Sequence, residues 1–295
     1  MRLSRPPPLK NLRAFCVAAR RLSFKHAADE LCLTPSAVSH QMKELETLLG
    51  MRLFERRTRS LELTPAGTRL LEEVEPLLDG LDRAMAQLAR QDGRETLRVR
   101  APALFANEML IPRLDEFCEA HPLIDVQLDT RDPRPNTHPA TADVSIVIAD
   151  LPPAGVRSTR LFSSPLAAVC APQHAGRVAR LGRQVFAALP LIVDRTRPLA
   201  WSSWAAEVGL ERPEPRQVIE FDTMIAAVRA AEHGLGIALV PVVLCHSWIS
   251  SGALVRVFAV ELPTPEAYYV VSRPRDAERP PVKALTRWAL AQYAA

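Results

Sequence analysis

The chain has 295 residues, 48% of them hydrophobic and 24% charged, a balance that excludes a disordered tail and a fibre. Its length favours two domains, or a small one joined to a larger one. The net charge of +4 hides an asymmetry: residues 1–64 carry twelve Lys or Arg against six Asp or Glu, which makes the front +6 and the remainder −2 and suits a first domain that meets a polyanion.

The opening MRLSRPPPLK is broken by three prolines and followed at once by Arg13, so it lacks the apolar core of a secretory leader. The longest apolar run, Ile237 to Cys245, is too short to span a bilayer and contains Pro241. Cys16, Cys32, Cys118, Cys170 and Cys245 are odd in number and include no C-x-x-C pair, which predicts neither a disulfide framework nor a zinc site. The expectation is a soluble, cytoplasmic protein with no membrane partner.

Leu9, Leu12, Phe15, Cys16, Ala19 and Leu22 recur at helical spacing and predict a first amphipathic helix ending near Arg20 and Arg21. Ser23 is placed to cap a second, in which Phe24, Ala27, Ala28 and Leu31 make one buried stripe. Thr34-Pro35 gives an N-cap with proline at the first helical position and opens a third helix. Val38, Met42, Leu45, Leu48 and Leu49 are its apolar face, and Gly50 is its left-handed stop. Three helices with a tight turn between the last two are a helix-turn-helix.

With that stripe turned inward, Pro35, Ser36, Ser39, His40 and Lys43 fall outside. Hydroxyls and an imidazole can bond base edges, Lys43 can neutralise a phosphate, and the helix N-terminus favours an anion. Taken alone, such a face is also what a merely solvated helix shows. The next segment weighs against that: Leu53-Phe54 and Leu61-Glu62-Leu63 read as two short strands joined by a tip holding Arg56, Arg57 and Arg59. Three clustered arginines repel one another unless an anion lies between them, and a phosphate backbone supplies it.

From Leu12 to Gly67 these residues resemble the DNA-binding segment of the LysR-type transcriptional regulators. The motifs that carry the resemblance are Ser23-Phe24, Ala27-Ala28, Thr34-Pro35-Ser36-Ala37-Val38-Ser39, Leu45-Glu46, Leu49-Gly50, Leu53-Phe54 with Arg56, and Leu63-Thr64-Pro65-Ala66-Gly67. Pro8-Leu9 and Arg20-Arg21-Leu22 are similar to the branch that contains the glycine-cleavage and β-lactamase regulators. The resemblance implies a recognition helix in the major groove. It assigns DNA contacts to Ser23, Lys25, Thr34, Pro35, Ser36, Ser39, His40, Lys43, Arg56, Arg57 and Arg59. Many relatives have arginine where His40 stands, so the base preference there differs. Cys32 is either a redox switch or, as free cysteines usually are, a small buried hydrophobe.

Thr64-Pro65 repeats the cap-and-proline signal and starts a long helix to about Arg90. Leu71, Val74, Leu78, Leu81, Met85 and Leu88 follow a heptad, which suits a dimerisation helix or packing onto the same chain, and Pro76 with Gly80 predicts a kink. From Leu97 onward short apolar runs alternate with helical ones, which is an α/β pattern. Strands are expected at Leu97–Val99, Ile124–Leu128, Val144–Ala149, Ala167–Ala171, Leu189–Val193, Ile237–Leu239, Leu254–Phe258 and Tyr268–Val271, with a closing helix over Pro281–Tyr293.

The second half resembles the family's effector module, two lobes similar to periplasmic solute-binding proteins with a cleft between them. The expected architecture is α/β overall: a winged helix-turn-helix over 1–64, a linker and dimerisation helix over 65–92, and an effector domain over 93–295, whose lobes are 93–165 plus 268–295, and 166–267. Carried over, the cleft residues are Pro102, Ala103, Leu104, Thr196, Asp222 and Thr223. Thr223 with its helix N-terminus can hold a carboxylate, or Asp222 and Thr223 merely cap that helix. Relatives often have serine at Pro102 and Leu104, which makes this cleft less polar and its ligand less acidic. RDPRPNTHPATA, Arg131 to Ala142, stands where relatives have a short helix, and its prolines argue against one.

No GxSxG, Walker loop, HExxH or GxGxxG is present, and Cys118 with His121 and Cys245 with His246 are isolated pairs, so neither an enzyme nor a cofactor is expected. An exported solute-binding protein needs a leader and has no use for a basic front. The resemblance implies double-stranded promoter DNA, a small-molecule effector and RNA polymerase as partners, a homodimer or homotetramer, and a nucleoid-associated location.

Overall fold

The structure is a computed structural model that describes residues 6–56, 61–89, 93–130, 138–139, 141–209, 215 and 217–294. The chain divides into two compact units, Met1–Gly93 and Arg94–Ala295.

In the first unit α1 (Leu9–Arg21), α2 (Phe24–Leu31) and α3 (Pro35–Leu49) precede a hairpin of β1 (Phe54–Arg56) and β2 (Leu61–Leu63), and α4 (Pro65–Ala89) follows. The caps are local. Ser23 accepts from His26 N–H, and Thr34 accepts from Ala37 N–H with Pro35 in the first turn. Gly50, at φ 66°, closes α3 in the left-handed region that glycine enters without penalty. Phe15, Ala27, Ala28, Val38, Met42, Leu45 and Leu53 are fully buried together. Phe54 meets Phe15 and Phe24 edge-on at 5.7 and 5.4 Å, which seats the hairpin on the three helices.

Two contacts fix the hairpin more tightly. A carboxylate oxygen of Glu46 accepts from Leu53 N–H at 2.7 Å and Phe54 N–H at 3.2 Å. A Cβ at Gly67 would lie 2.2 Å from the Leu53 carbonyl oxygen, so only glycine lets α4 approach β1 this closely.

The second unit runs β3 (Glu95–Arg100), α5 (Ala103–Phe105), a π turn (Ala106–Leu110), a 3-10 turn (Ile111–Arg113), α6 (Leu114–Ala120), β4 (Ile124–Asp129), β5 (Val144–Ala149) and β6 (Arg157–Ser163). It continues with β7 (Leu166–Cys170), α7 (Ala175–Leu181), α8 (Val185–Ala188), β8 (Leu191–Asp194), α9 (Ala200–Glu207), β9 (Val218–Phe221), α10 (Met224–Glu232), β10 (Ile237–Pro241), α11 (His246–Ser250), β11 (Val255–Leu262), β12 (Ala267–Ser272) and α12 (Pro280–Tyr293).

The strands form two five-stranded mixed sheets, ordered β4-β3-β5-β12-β6 and β11-β7-β10-β8-β9. The first lobe therefore closes only when β12 returns from the far end of the chain to sit antiparallel between β5 and β6. The chain passes between lobes twice, from β6 to β7 and from β11 to β12, and Thr264 in the second crossover donates to the Ser164 carbonyl in the first at 3.1 Å. Central strands β7 and β10 are buried throughout, as strands covered on both faces must be.

The long helix departs from its expected role in part. Leu78 is 7% exposed in the core of the first unit, with Leu71 and Val74 packed against it, so this half of the heptad stripe is used within the chain. Leu81 and Met85 are 39% and 60% exposed, and the Leu88 side chain lies outside the described residues. Pro76 sits inside α4 without ending it. Cys32 is corrected as well: it is exposed at φ 54° and forms the left-handed end of α2, not a small buried hydrophobe.

Candidate nucleic-acid interface and ligand cleft

In α3 the fully buried Val38, Met42 and Leu45 set the orientation of the rest. Pro35, Ser36, His40 and Lys43 are exposed and Ser39 is half-buried. The Thr34 and Ser36 hydroxyls lie 3.1 Å apart, so Ser36 is part of the cap as well as of the face. His40 Nδ1 lies 3.4 Å from a Glu44 carboxylate oxygen one turn on, and the other oxygen of Glu44 accepts from Asn11 at 3.1 Å. The imidazole is thereby oriented by a carboxylate that α1 holds in place. Ser23 is half-buried as the cap of α2, and Lys25 is exposed two residues on. Arg57 and Arg59 lie outside the described residues, as does the side chain of Arg56.

Two ion pairs brace the face from behind, Arg13 with Asp82 and Arg20 with Glu75 at 3.5 Å, each joining α1 to α4. Burial raises the Glu75 carboxyl above its ordinary range, against the opposing pull of Arg20.

In the second unit a cleft encloses about 650 Å³ of space, part of it open to solvent. Pro102, Ala103, Leu104, Thr196, Asp222 and Thr223 all line it. Pro102 caps α5 just after β3, Ala103 and Leu104 are its first two residues, and α5 continues into the π turn, where Glu108 accepts from the Ser247 hydroxyl of α11 at 3.2 Å, linking the lobes. Thr196 is held by Asp194, which accepts from its N–H at 2.9 Å and its hydroxyl at 2.8 Å. Thr223 stands at the N-cap of α10, yet its side chain makes no capping bond, so capping alone does not account for it. Sequence reasoning missed Arg197 and Tyr268, which also line the cleft. Arg197 is one residue past an assigned position, and Tyr268 is a polar tip inside an apolar run, signals from which both could have been found.

Burial holds the Cys16 and Cys245 thiols up at about 12 and Cys170 at about 11, which keeps them protonated and unreactive. Among the described residues no group of three or more His, Cys, Asp or Glu is placed to hold a metal, and no helix is long and apolar enough to cross a membrane.

A winged helix-turn-helix followed in the chain by a two-lobed module with a cleft defines a DNA-binding regulator with a ligand-sensing half. Residues 9–68 match the family model of the bacterial regulatory helix-turn-helix protein, lysR family, and residues 90–294 match the LysR substrate binding domain. The glycine cleavage system transcriptional activator of Escherichia coli K12 is 35% identical over 99% of this chain and 95% of its own. The activator AmpR of Pseudomonas aeruginosa is 36% identical, covering 96% and 95%. The effector domain of that AmpR superposes with a TM-score of 0.58 at 29% identity, over 67% of this chain and 95% of the domain. ArgP of Mycobacterium tuberculosis shares the fold, with a TM-score of 0.64 at 22% identity over 97% and 98%. The chain belongs to the LysR family: it is a transcriptional regulator with a helix-turn-helix DNA-binding domain and an effector-binding domain, and its relatives are regulators, not enzymes.

Proposed function

We propose that this regulator reads promoter DNA with the outer face of α3 and senses a small molecule in the cleft lined by Leu104, Thr196 and Thr223. The observation that carries the first half is the division of α3 into a fully buried side, Val38, Met42 and Leu45, and an exposed side holding Ser36, His40 and Lys43 next to the cap of the helix. A helix seated on its own domain in this way presents its N-terminal residues to a groove, and the basic front supplies phosphate contacts. Lys43 and Lys25 are phosphate partners; His40, steadied by Glu44, and Ser39 are base readers. The wing arginines Arg56, Arg57 and Arg59 flank the duplex.

A second copy covers the exposed part of α4, making at least a homodimer that spans two half-sites. Ligand closing the cleft changes the spacing of the paired heads and so the bend in the DNA, which alters access for RNA polymerase on the nucleoid.

The test is selection of duplexes by the full-length protein from a randomised pool, followed by anisotropy titration against salt. Affinity should fall steeply with salt. Lys43→Glu should weaken binding to all sequences and lower the salt slope by roughly one to two, whereas His40→Ala should relax preference at one position of each half-site. An unenriched pool, or affinity indifferent to salt, sinks the proposal.

A further inference from the structure

Both lobes give the cleft apolar wall, Leu104 and Ile148 from the first and Met224 and Leu244 from the second, while its one guanidinium, Arg197, comes from the second. Two aspartates also reach the cleft: Asp194 accepts from the N–H and hydroxyl of Thr196, while the Asp222 side chain is 72% exposed to water and lies 4.0 Å from Arg195. Arg197 remains as the cation turned to the cavity. Its guanidinium is 2.5 Å from a carboxylate oxygen of Glu266, a residue that does not line the cleft and that stands in the second crossover immediately before β12. The Arg197 and Glu266 side chains are 18% and 27% exposed, so the pair is largely withdrawn from water without being sealed.

A second polar group stands in the same lining. Tyr268 is 5% exposed and lines the cleft, with its ring stacked on Phe162 at 4.9 Å and Phe105 at 5.6 Å. Its hydroxyl has no hydrogen-bond partner among the described residues. Tyr268 therefore adds its phenol hydroxyl to the donors available along this lining. The Thr223 hydroxyl and the free N–H groups of the nine-residue α10 are two more donors to the same cavity.

We propose that Glu266 is an internal stand-in for the carboxylate of the ligand: a monocarboxylate on a short apolar body enters the cleft, takes the Arg197 guanidinium from Glu266, and so releases the crossover. This rests on the reading of the cleft as the effector site. Exchange of one carboxylate for another leaves the charge count at Arg197 unchanged, which avoids the large cost of stripping a half-buried ion of its partner. The Glu266 oxygen that faces Arg197 is buried while the side chain as a whole is 27% exposed, so displacement has to turn that oxygen out to water. The apolar wall admits a hydrocarbon body, and one available cation matches one negative charge. Because Glu266 adjoins β12, the strand between β5 and β6, the exchange is felt where the second lobe hands the chain back to the first.

The experiment uses the full-length protein with sodium butyrate and its neutral counterpart butyramide at constant ionic strength, read by thermal shift and by titration. Butyrate should raise the melting temperature more than butyramide does. Glu266→Gln, which removes the competitor, should bind butyrate roughly fivefold to tenfold more tightly. Arg197→Gln should lose that preference, and Arg197→Lys, which keeps the charge, should retain part of it. Equal responses to the two probes, or no tightening in Glu266→Gln, overturn the stand-in. No response by any variant overturns it too. The cleft reading is judged separately: if butyramide binds without preference and Ala103→Trp abolishes its binding, the cleft survives as a ligand site while the stand-in falls.

Discussion

His138 shows how one side chain ties pH to stability. Its Nδ1 lies 2.8 Å from the hydroxyl of Ser145, which is fully buried on β5, and burial pushes the ring down to about 4. Arg273 and Arg100 press in the same direction, and Asp276 and Asp143 oppose them. The folded protein thus holds the ring neutral below the ordinary value of 6.5, while the unfolded chain takes up a proton. Stability from this group is complete above that value and falls as pH drops toward 4, by about 3 kcal/mol in total. Urea unfolding of the second unit should show this loss between pH 7 and pH 4.5, and His138→Asn should flatten it. An unchanged slope in the variant would contradict the assignment.

At the scale of elements, α4 serves two masters. Its first turn is anchored by Gly67 against Leu53 and its middle by Leu78 in the core, while the neighbouring Leu77 is 65% exposed and Met85 further on is 60% exposed. Leu78→Ala should cost about 2–3 kcal/mol of stability in the first unit by leaving a cavity, measured as a lower denaturant midpoint. Met85→Glu should leave that midpoint nearly unmoved and instead shift sedimentation toward a smaller species. Were Leu78→Ala to alter assembly alone, the split between core and interface along this helix would be wrong.

The whole molecule makes its first lobe from distant pieces. β12 and α12 arrive last in the chain, and Tyr293 in α12 donates to the Met109 carbonyl at 2.6 Å, back at the π turn. A chain stopped after Pro263 leaves β5 and β6 without the strand between them. It should lose protease resistance across both lobes while the first unit keeps its helical unfolding transition. Survival of a resistant second unit in that variant would show that the returning strand is dispensable.

The head was legible in the sequence because each of its signals is local. Caps at Ser23 and Thr34, the stop at Gly50 and the stripe through Val38, Met42 and Leu45 are written within a few residues of where they act. Long-range meaning was not. β6 and β9 were missed because these edge strands, Arg157–Ser163 and Val218–Phe221, are only partly buried and their sequences do not alternate between apolar and polar residues. Cys32 was misjudged because its exposure follows from the turn geometry, and the heptad of α4 could not say which of its residues faced inward. The pairing of Arg197 with Glu266, 69 positions apart, and the unpartnered hydroxyl of Tyr268 exist only once two sheets have met. Periodicity and capping set which elements form, since those depend on neighbours in the chain. The cleft and its charges are set by packing, since they depend on neighbours in space.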